Sequence, residues 1–364
     1  MILDLYFARR FLMTFLGILA GFIAFMWLVE VLEHVRRFEG SEIAFQTLSY
    51  LALLHMPQVL YEVTILITLL ATLLMFVTLA RTSELVITRA TGRSAMRSLA
   101  SPVITAFLVG LVAVGIMNPL VASTAKLYER EVNALRGEER VVAVGTDGLW
   151  LRQGQADRQT AIHAKSANLD GTILNEVSFF GFDGRSDPTF RIEARQAELV
   201  DGAWQLIDAK SWDFRDVENP EAEAVTAEML TLPSSLTRDQ IRDSFGTPYS
   251  IPIWELPRFI ERLEASGFSA RSHRVWFQAE MARPLSFVAM VLIGAVFTLR
   301  HTRFGKTGLM VLSAVLAGFV LYFISSLTHV MGENGQVPIA LAVWAPPIAA
   351  ILLAMSLLLH LEDG

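Results

Sequence analysis

The sequence contains no cysteine. No disulfide can therefore form within the chain, and the redox state of its compartment cannot be read from cysteine usage. A domain without cysteine is permitted on either side of a membrane.

Catalytic and metal-binding motifs are also missing. The chain has neither G-x-S-x-G nor H-E-x-x-H, and His163 and His273 stand apart without the spacing of metal ligands. Gly305-Lys306-Thr307 resembles the end of a phosphate-binding loop. Such a loop needs a glycine where this chain has Arg300, and a strand where it has an apolar run. We therefore expect no catalysis, metal or cofactor in this chain, and no nucleic acid as a partner.

Charge is scarce in six long stretches. The chain is 53% hydrophobic and only 18% charged, which is the balance of a membrane protein. A membrane span needs about 20 apolar residues, and five of the stretches reach or approach that length. The fourth must recruit residues that precede Pro284. We predict six spans, over residues 11–29, 63–80, 98–125, 284–299, 307–328 and 337–359.

The remaining charges are distributed unevenly. Residues 123–272 carry 17 Lys and Arg against 25 Asp and Glu, a net charge of −8. Basic residues cluster at Arg9 and Arg10, in residues 81–97 and in residues 300–306, all on one side of the membrane if the spans alternate. Because basic loops stay in the cytoplasm, both termini are predicted to be cytoplasmic and the large acidic segment to lie outside.

The acidic segment has the pattern of a β-domain. Six stretches show strand-like composition, and turn signals such as Asp-Gly separate them. Alternating apolar and polar residues indicate an antiparallel sheet with one wet face, jellyroll-like or a curled sandwich, with the strand order left open. The predicted division is residues 1–122 for three spans, 123–272 for the β-domain and 273–364 for three more. The strand-like stretches are residues 148–154, 158–167, 173–184, 188–202, 203–214 and 222–232.

The loop of residues 81–97 has four arginines and a single acid, Glu84. Thr82 or Ser83 is suited to cap a short helix there, and Gly92 to end it. No span has a charge at its middle, which argues against an ion-coupled carrier. If this protein moves something, the energy is expected to come from a partner.

The order of the spans and the β-domain along the chain, together with short motifs, resembles that of a known family. Residues 81–86 read Arg-Thr-Ser-Glu-Leu-Val, residues 90–92 read Ala-Thr-Gly, and a β-domain follows the third span. This is similar to the lipopolysaccharide export permeases LptF and LptG. Gly148-Leu149-Trp150 and the Arg-Pro-Leu of residues 283–285 fit LptG better.

The resemblance implies a permease subunit of an ABC transporter in the inner membrane of a Gram-negative bacterium. Its implied partners are an LptF-like permease, two copies of an LptB-like ATPase that binds the ATP, and LptC-like and LptA-like periplasmic β-proteins. Lipopolysaccharide would enter between the two permeases and leave through the β-jellyroll towards a periplasmic bridge.

The resemblance also implies roles for particular residues. The coupling helix falls on residues 81–92, with Glu84 as the coupling glutamate. Arg36 and Arg37, at the end of span 1, match a basic pair that touches lipid A phosphates. The chain departs from the family pattern at Glu30, whose charge would weaken an anion site. Candidates for ATPase coupling are Glu84, Arg81, Leu85 and Arg89, and candidates for the gates are Gly17, Gly21, Ala314 and Gly318.

Alternatives remain open at this point. Gly17 with Gly21, and Ala314 with Gly318, are equally compatible with plain helix packing, and the arginines with a solvated helix end. A membrane-anchored periplasmic scaffold without transport would also have spans and a β-domain, but it would tolerate loss of Glu84. Permeases of the lipoprotein-release type are disfavoured, because their outer domain follows the first span.

Overall fold

A computed structural model describes residues 2–38, 43–90, 92, 94–136, 142–145, 148–155, 158–168, 172–183, 187–200, 202–215, 219–234, 236–237, 241, 247–265, 269–298 and 307–363. The chain forms two compact units. The helical unit comprises Met1–Val132, Tyr249–Trp254 and Arg274–Gly364, and the β unit comprises Asn133–Pro248 and Glu255–His273.

Six helical stretches are long and apolar enough to cross a membrane, as predicted. The third is continuous through α4, one π-helical turn at Ala113–Met117, and α5. The helices are α1 Ile2–Arg37, α2 Phe45–Arg81, α3 Glu84–Ala90, α4 Ala95–Val112, α5 Asn118–Arg136, α6 Leu256–Ala265, α7 Arg271–Thr298, α8 Thr307–Glu333 and α9 Ile339–Asp363.

The helical unit is built around α2 and α7. Between helices in lipid, close packing replaces the hydrophobic effect as the main attraction, so small residues matter at crossings. A Cβ at Gly110 of α4 would lie 2.6 Å from Cα of Pro284 in α7, so only glycine permits this approach. At α1, Phe7, Phe11 and Phe15 recur every fourth residue and bury one face of the helix.

The spans differ greatly in how much of them this chain covers. In the apolar stretch of α7, 72% of the residues are buried, against 6% in α1 and 11% in α8. The helices α1 and α8 therefore present most of their surface to whatever surrounds the unit.

The β unit contains one seven-stranded antiparallel sheet in which each strand pairs with its neighbour along the chain. The six predicted strands are present, and one short strand, β1, precedes them. The strands are β1 Val142–Gly145, β2 Gly148–Gln155, β3 Arg158–Ala167, β4 Ile173–Asp183, β5 Pro188–Val200, β6 Ala203–Asp213 and β7 Val225–Pro233.

The sheet curls around its buried face. Phe179 of β4 and Trp204 of β6 are fully buried, with ring centroids 6.1 Å apart. The amide of Gln153, on β2, donates to the carbonyl of Pro233 at 3.3 Å, and its oxygen accepts from Trp204 Nε1 at 3.2 Å and Ser234 Oγ at 2.7 Å. One buried amide thus joins β2 to β6 and to the end of β7, which only a curled sheet permits.

A row of charged residues crosses this sheet. At this row the alternation of buried and exposed side chains along the strands is shifted by one residue. Lys165 binds Glu176 at 2.8 Å, and Arg195 binds Asp208 at 2.6 Å. Glu176 and Asp208 have positive φ, 48° and 54°, and neither forms a ladder pair. Such local irregularities bend strands, so the charges mark a bend across four strands.

Candidate functional site

The loop between α2 and α4 folds as a short helix between two left-handed residues. The chain leaves α2 at Thr82 and turns at Ser83, whose φ is 60°, and α3 then follows. The carbonyl of Ser83 accepts from the Ile87 amide at 3.1 Å, so Ser83 caps α3 through its backbone. Gly92, with φ of 79°, follows the helix, as its position predicts.

Glu84 is the first residue of α3, and two hydroxyl groups hold its carboxylate. Thr82 Oγ1 donates to Oε1 at 2.9 Å, and Tyr6 Oη, from α1, donates to Oε2 at 2.6 Å. The Tyr6 hydrogen bond lowers the pKa of Glu84 below its usual range; partial burial opposes this, while Thr82 and the charge of Arg10 reinforce it. The carboxylate is therefore ionised and fixed in direction at neutral pH.

Around Glu84 the loop offers both charge and apolar surface. Arg81 is exposed at the end of α2. Leu85 and Arg89 are part of α3, but the structure does not describe their side chains. Ile87, which sequence reasoning missed, is 63% exposed on this short helix.

Arg36 and Arg37 lie exposed in the last turn of α1. Arg37 Nη1 donates to the hydroxyl of Tyr128, on α5, at 3.2 Å. His34 forms a second hydrogen bond to α5, because its Nε2 lies 3.1 Å from the same Tyr128 hydroxyl. The basic end of α1 is thus tied to α5.

Glu30 lies two turns before Arg37 on the same face of α1. Its carboxylate binds His55 Nδ1, on α2, at 2.8 Å. His34 Nδ1 lies 2.7 Å from the backbone carbonyl of Glu30; because a carbonyl only accepts, that nitrogen carries a proton. The Glu30 carboxylate is therefore bonded to α2, and its effect on an anion site at Arg36 and Arg37 stays a prediction.

The two small-residue strips lie in different environments. A Cβ at Gly17 or Gly21 would meet nothing within 4 Å, so this face of α1 is open. Ala314 is fully buried, and a Cβ at Gly318 would lie 2.2 Å from Leu69 Cδ2 of α2. Ala314 and Gly318 thus pack against the chain's own α2, and their assignment to a gate between subunits stays a prediction. The open face of α8 carries instead Leu312, Leu316, Phe319, Phe323 and Leu327.

A buried polar group lies deeper in the helical unit. Arg283 and Glu280, on α7, form the ion pair that their spacing predicts, at 2.8 Å. Tyr61, on α2, donates to Glu280, and the Arg283 guanidinium lies 3.9 Å from the centroid of its ring. A cavity of about 220 Å³ lies beside Arg283. Each charge has its partners within the chain, as a structural ion pair requires.

Known proteins resemble this sequence along nearly its whole length. The family described as lipopolysaccharide export system permease LptF/LptG matches residues 5–360. This chain belongs to the LptF/LptG family. LptG of Escherichia coli K12 is 24% identical over 358 residues, which cover 97% of this chain and 94% of that protein. LptG of Escherichia coli O6:H1, strain CFT073, matches to the same extent.

Family membership accounts for the architecture. The protein is a multi-pass inner-membrane permease with a role in lipopolysaccharide export, and LptF/LptG permeases work as subunits of an export system. Both relatives are LptG proteins, while the family model covers LptF and LptG alike, so the closer resemblance to LptG stays a prediction. Within the part of the chain that the structure describes, no group of three His, Cys, Asp or Glu is placed to hold a metal ion.

Proposed function

We propose that this protein is a permease subunit of an ABC transporter that extracts lipopolysaccharide from the inner membrane and passes it to a periplasmic bridge. The observation that carries the proposal is the family match, which runs through both groups of spans and the β unit. Under this proposal the chain is not an enzyme, and ATP is bound and hydrolysed by a partner.

The proposed partners are an LptF-like permease, an LptB-like ATPase dimer, and LptC-like and LptA-like periplasmic proteins. The basic loop of residues 81–97 faces the cytoplasm with both termini, and the acidic β unit lies in the periplasm. The low burial of α1 and α8 supports a partner permease against these two helices.

The proposed coupling site is Glu84 with Arg81, Leu85 and Arg89. Movement of the ATPase displaces α3, and the spans transmit that movement to the lipid cavity. A fixed, ionised carboxylate next to exposed Ile87 supports this role, because a partner can grip both a charge and an apolar side chain.

Lipid A combines phosphates with several acyl chains, so its carrier needs apolar walls and a few cations at the rim. The open face of α1 offers such a wall, and Arg36 and Arg37 at its end offer the cations. A guanidinium fork suits a phosphate group well.

The experiment reconstitutes the chain with its partner permease and ATPase in proteoliposomes and measures lipopolysaccharide release. Glu84→Ala is expected to abolish release while the chain still inserts and still co-purifies with the partner permease. Arg97→Ala, a change at another loop arginine outside the proposed coupling set, is the control and is expected to retain most release. Unchanged release by Glu84→Ala would favour the alternative, a membrane-anchored scaffold.

A further inference from the structure

The two hydrogen bonds to Glu84 come from very different parts of the chain. Thr82 is its near neighbour at the end of α2, whereas Tyr6 is 78 residues away, in the second turn of α1. We propose that Tyr6 is a positioning residue through which displacement of α3 reaches α1. This inference rests on the proposed function, because it assumes that an ATPase moves Glu84.

The cytoplasmic end of α1 is well placed to receive such a displacement. Next to Tyr6, Phe7 is buried in a core that includes Phe76 and Leu79 of α2 and Leu99 of α4. In the same turn, the carbonyl of Asp4 accepts a hydrogen bond from Ser101 Oγ. This end of α1 is therefore held on α2 and α4, and Tyr6 adds the bond to α3.

The other end of α1 is held as well, and the middle is packed on one face, through Phe11 and Phe15, and open on the other. Glu30 binds His55 of α2, and Tyr6 and Glu30 are separated by about 36 Å at a rise of about 1.5 Å per residue. Gly17 and Gly21 lie between them on a face that meets nothing within 4 Å. A push at Tyr6 is therefore expected to rotate α1 between its two held ends, which moves the open face at Gly17 and Gly21.

The bond is short and charge-assisted, and it also sets the ionisation of Glu84. A hydroxyl that donates to a carboxylate favours the charged form, and Tyr6 is the largest cause of the lowered pKa. Removal of the Tyr6 hydroxyl is therefore expected to raise the pKa of Glu84 towards its ordinary value. Loss of packing alone would remove the desolvation that raises this pKa, and would therefore shift it in the opposite direction.

Tyr6→Phe removes the hydroxyl and keeps the ring, which packs edge-on against Phe7. The test uses the complete complex with the partner permease and ATPase in lipopolysaccharide-loaded proteoliposomes. ATP hydrolysis and lipopolysaccharide release are measured on the same sample. We expect release per ATP to fall about tenfold or more, the effect of one lost hydrogen bond to a charged group, while ATPase binding is retained. Tyr50→Phe, at a 47% exposed tyrosine of α2, is the matched control and is expected to behave as wild type.

Two further readouts separate positioning from general structure. When the buffer on the ATPase side is acidified, release per ATP is expected to decline at a higher pH in Tyr6→Phe than in wild type. The reason is that Glu84 with a raised pKa becomes protonated at a higher pH. Combined with Glu84→Gln, whose neutral amide oxygen accepts a weaker hydrogen bond from Tyr6, Tyr6→Phe is expected to add less than it does alone.

The outcomes are distinguishable. If Glu84→Gln keeps wild-type release, the proposed coupling function fails, and this inference fails with it. If Glu84→Gln loses release but Tyr6→Phe keeps the wild-type ratio and pH profile, only the inference is overturned. If Tyr6→Phe raises release per ATP, Tyr6 restrains α3 instead of transmitting its movement, which also overturns the inference.

Discussion

Three acidic residues in the helical unit each receive hydrogen bonds from another helix. Glu84 is bound by Tyr6, Glu30 by His55, and Glu280 by Tyr61. A carboxylate in or near a membrane is costly unless donors surround it, so each one specifies which helix must lie beside it. These acids therefore fix the positions of α1, α2, α3 and α7 relative to one another.

The clearest stability prediction at this scale concerns Glu30, which is 9% exposed. Glu30→Ala leaves His55 without its carboxylate partner. We expect this to lower the free energy of unfolding by about 1 to 3 kcal/mol. Thermal unfolding of the detergent-purified protein measures the change. Glu33→Ala, at an exposed acid one turn away on α1, is the matched control and is expected to shift the midpoint little. Equal shifts for the two variants would show that the Glu30 contact does not stabilise the fold.

Elements were predictable wherever one local pattern determined them. Six apolar runs gave the six spans, and alternation gave β2 to β7 within a few residues. The four-residue strand β1 was missed, because it carries too few positions to alternate. The bond between Tyr6 and Glu84 was missed because nothing in either segment signals a partner 78 residues away.

Which side of a helix packs against the chain's own core is harder to predict than whether the helix forms. Small residues at a spacing of four lie on one side of a helix, but the sequence does not say whether that side meets the chain's own core or a partner. The strip at Gly17 and Gly21 proved open, while the one at Ala314 and Gly318 proved buried against α2 and α7. The same spacing of small residues therefore occurs on an exposed helix face in one case and on a buried face in the other.

These two strips provide a matched pair of substitutions. Gly318→Val places methyl groups where Leu69 already packs, and it is expected to cost about 1 to 3 kcal/mol of the chain's own stability. Gly21→Val points into open space and is expected to leave the thermal midpoint nearly unchanged, while less partner permease co-purifies. A lowered midpoint for Gly21→Val with normal co-purification would contradict the assignment of this face to a partner.

At the scale of the whole molecule, exposed apolar side chains occur on each of the six spans that the structure describes. The helices α1 and α8 are the least buried, and under the proposed function the partner permease covers part of both. Such an assembly leaves other lipid-facing helix surfaces unchanged, for example the outer side of α9, where Leu353 is 67% exposed.

The absence of cysteine makes this arrangement directly testable, because a single introduced cysteine is the only reactive thiol. Phe25→Cys on α1 and Phe323→Cys on α8 replace side chains that are 59% and 67% exposed. Both thiols are expected to react several-fold more slowly with a membrane-permeant maleimide once the partner permease is co-expressed, because its helices pack over them. Leu353→Cys on α9 is the control and is expected to react at the same rate in both preparations. Equal protection of all three positions would indicate a general change in the membrane, and no protection at Phe25 and Phe323 would place the partner on another face.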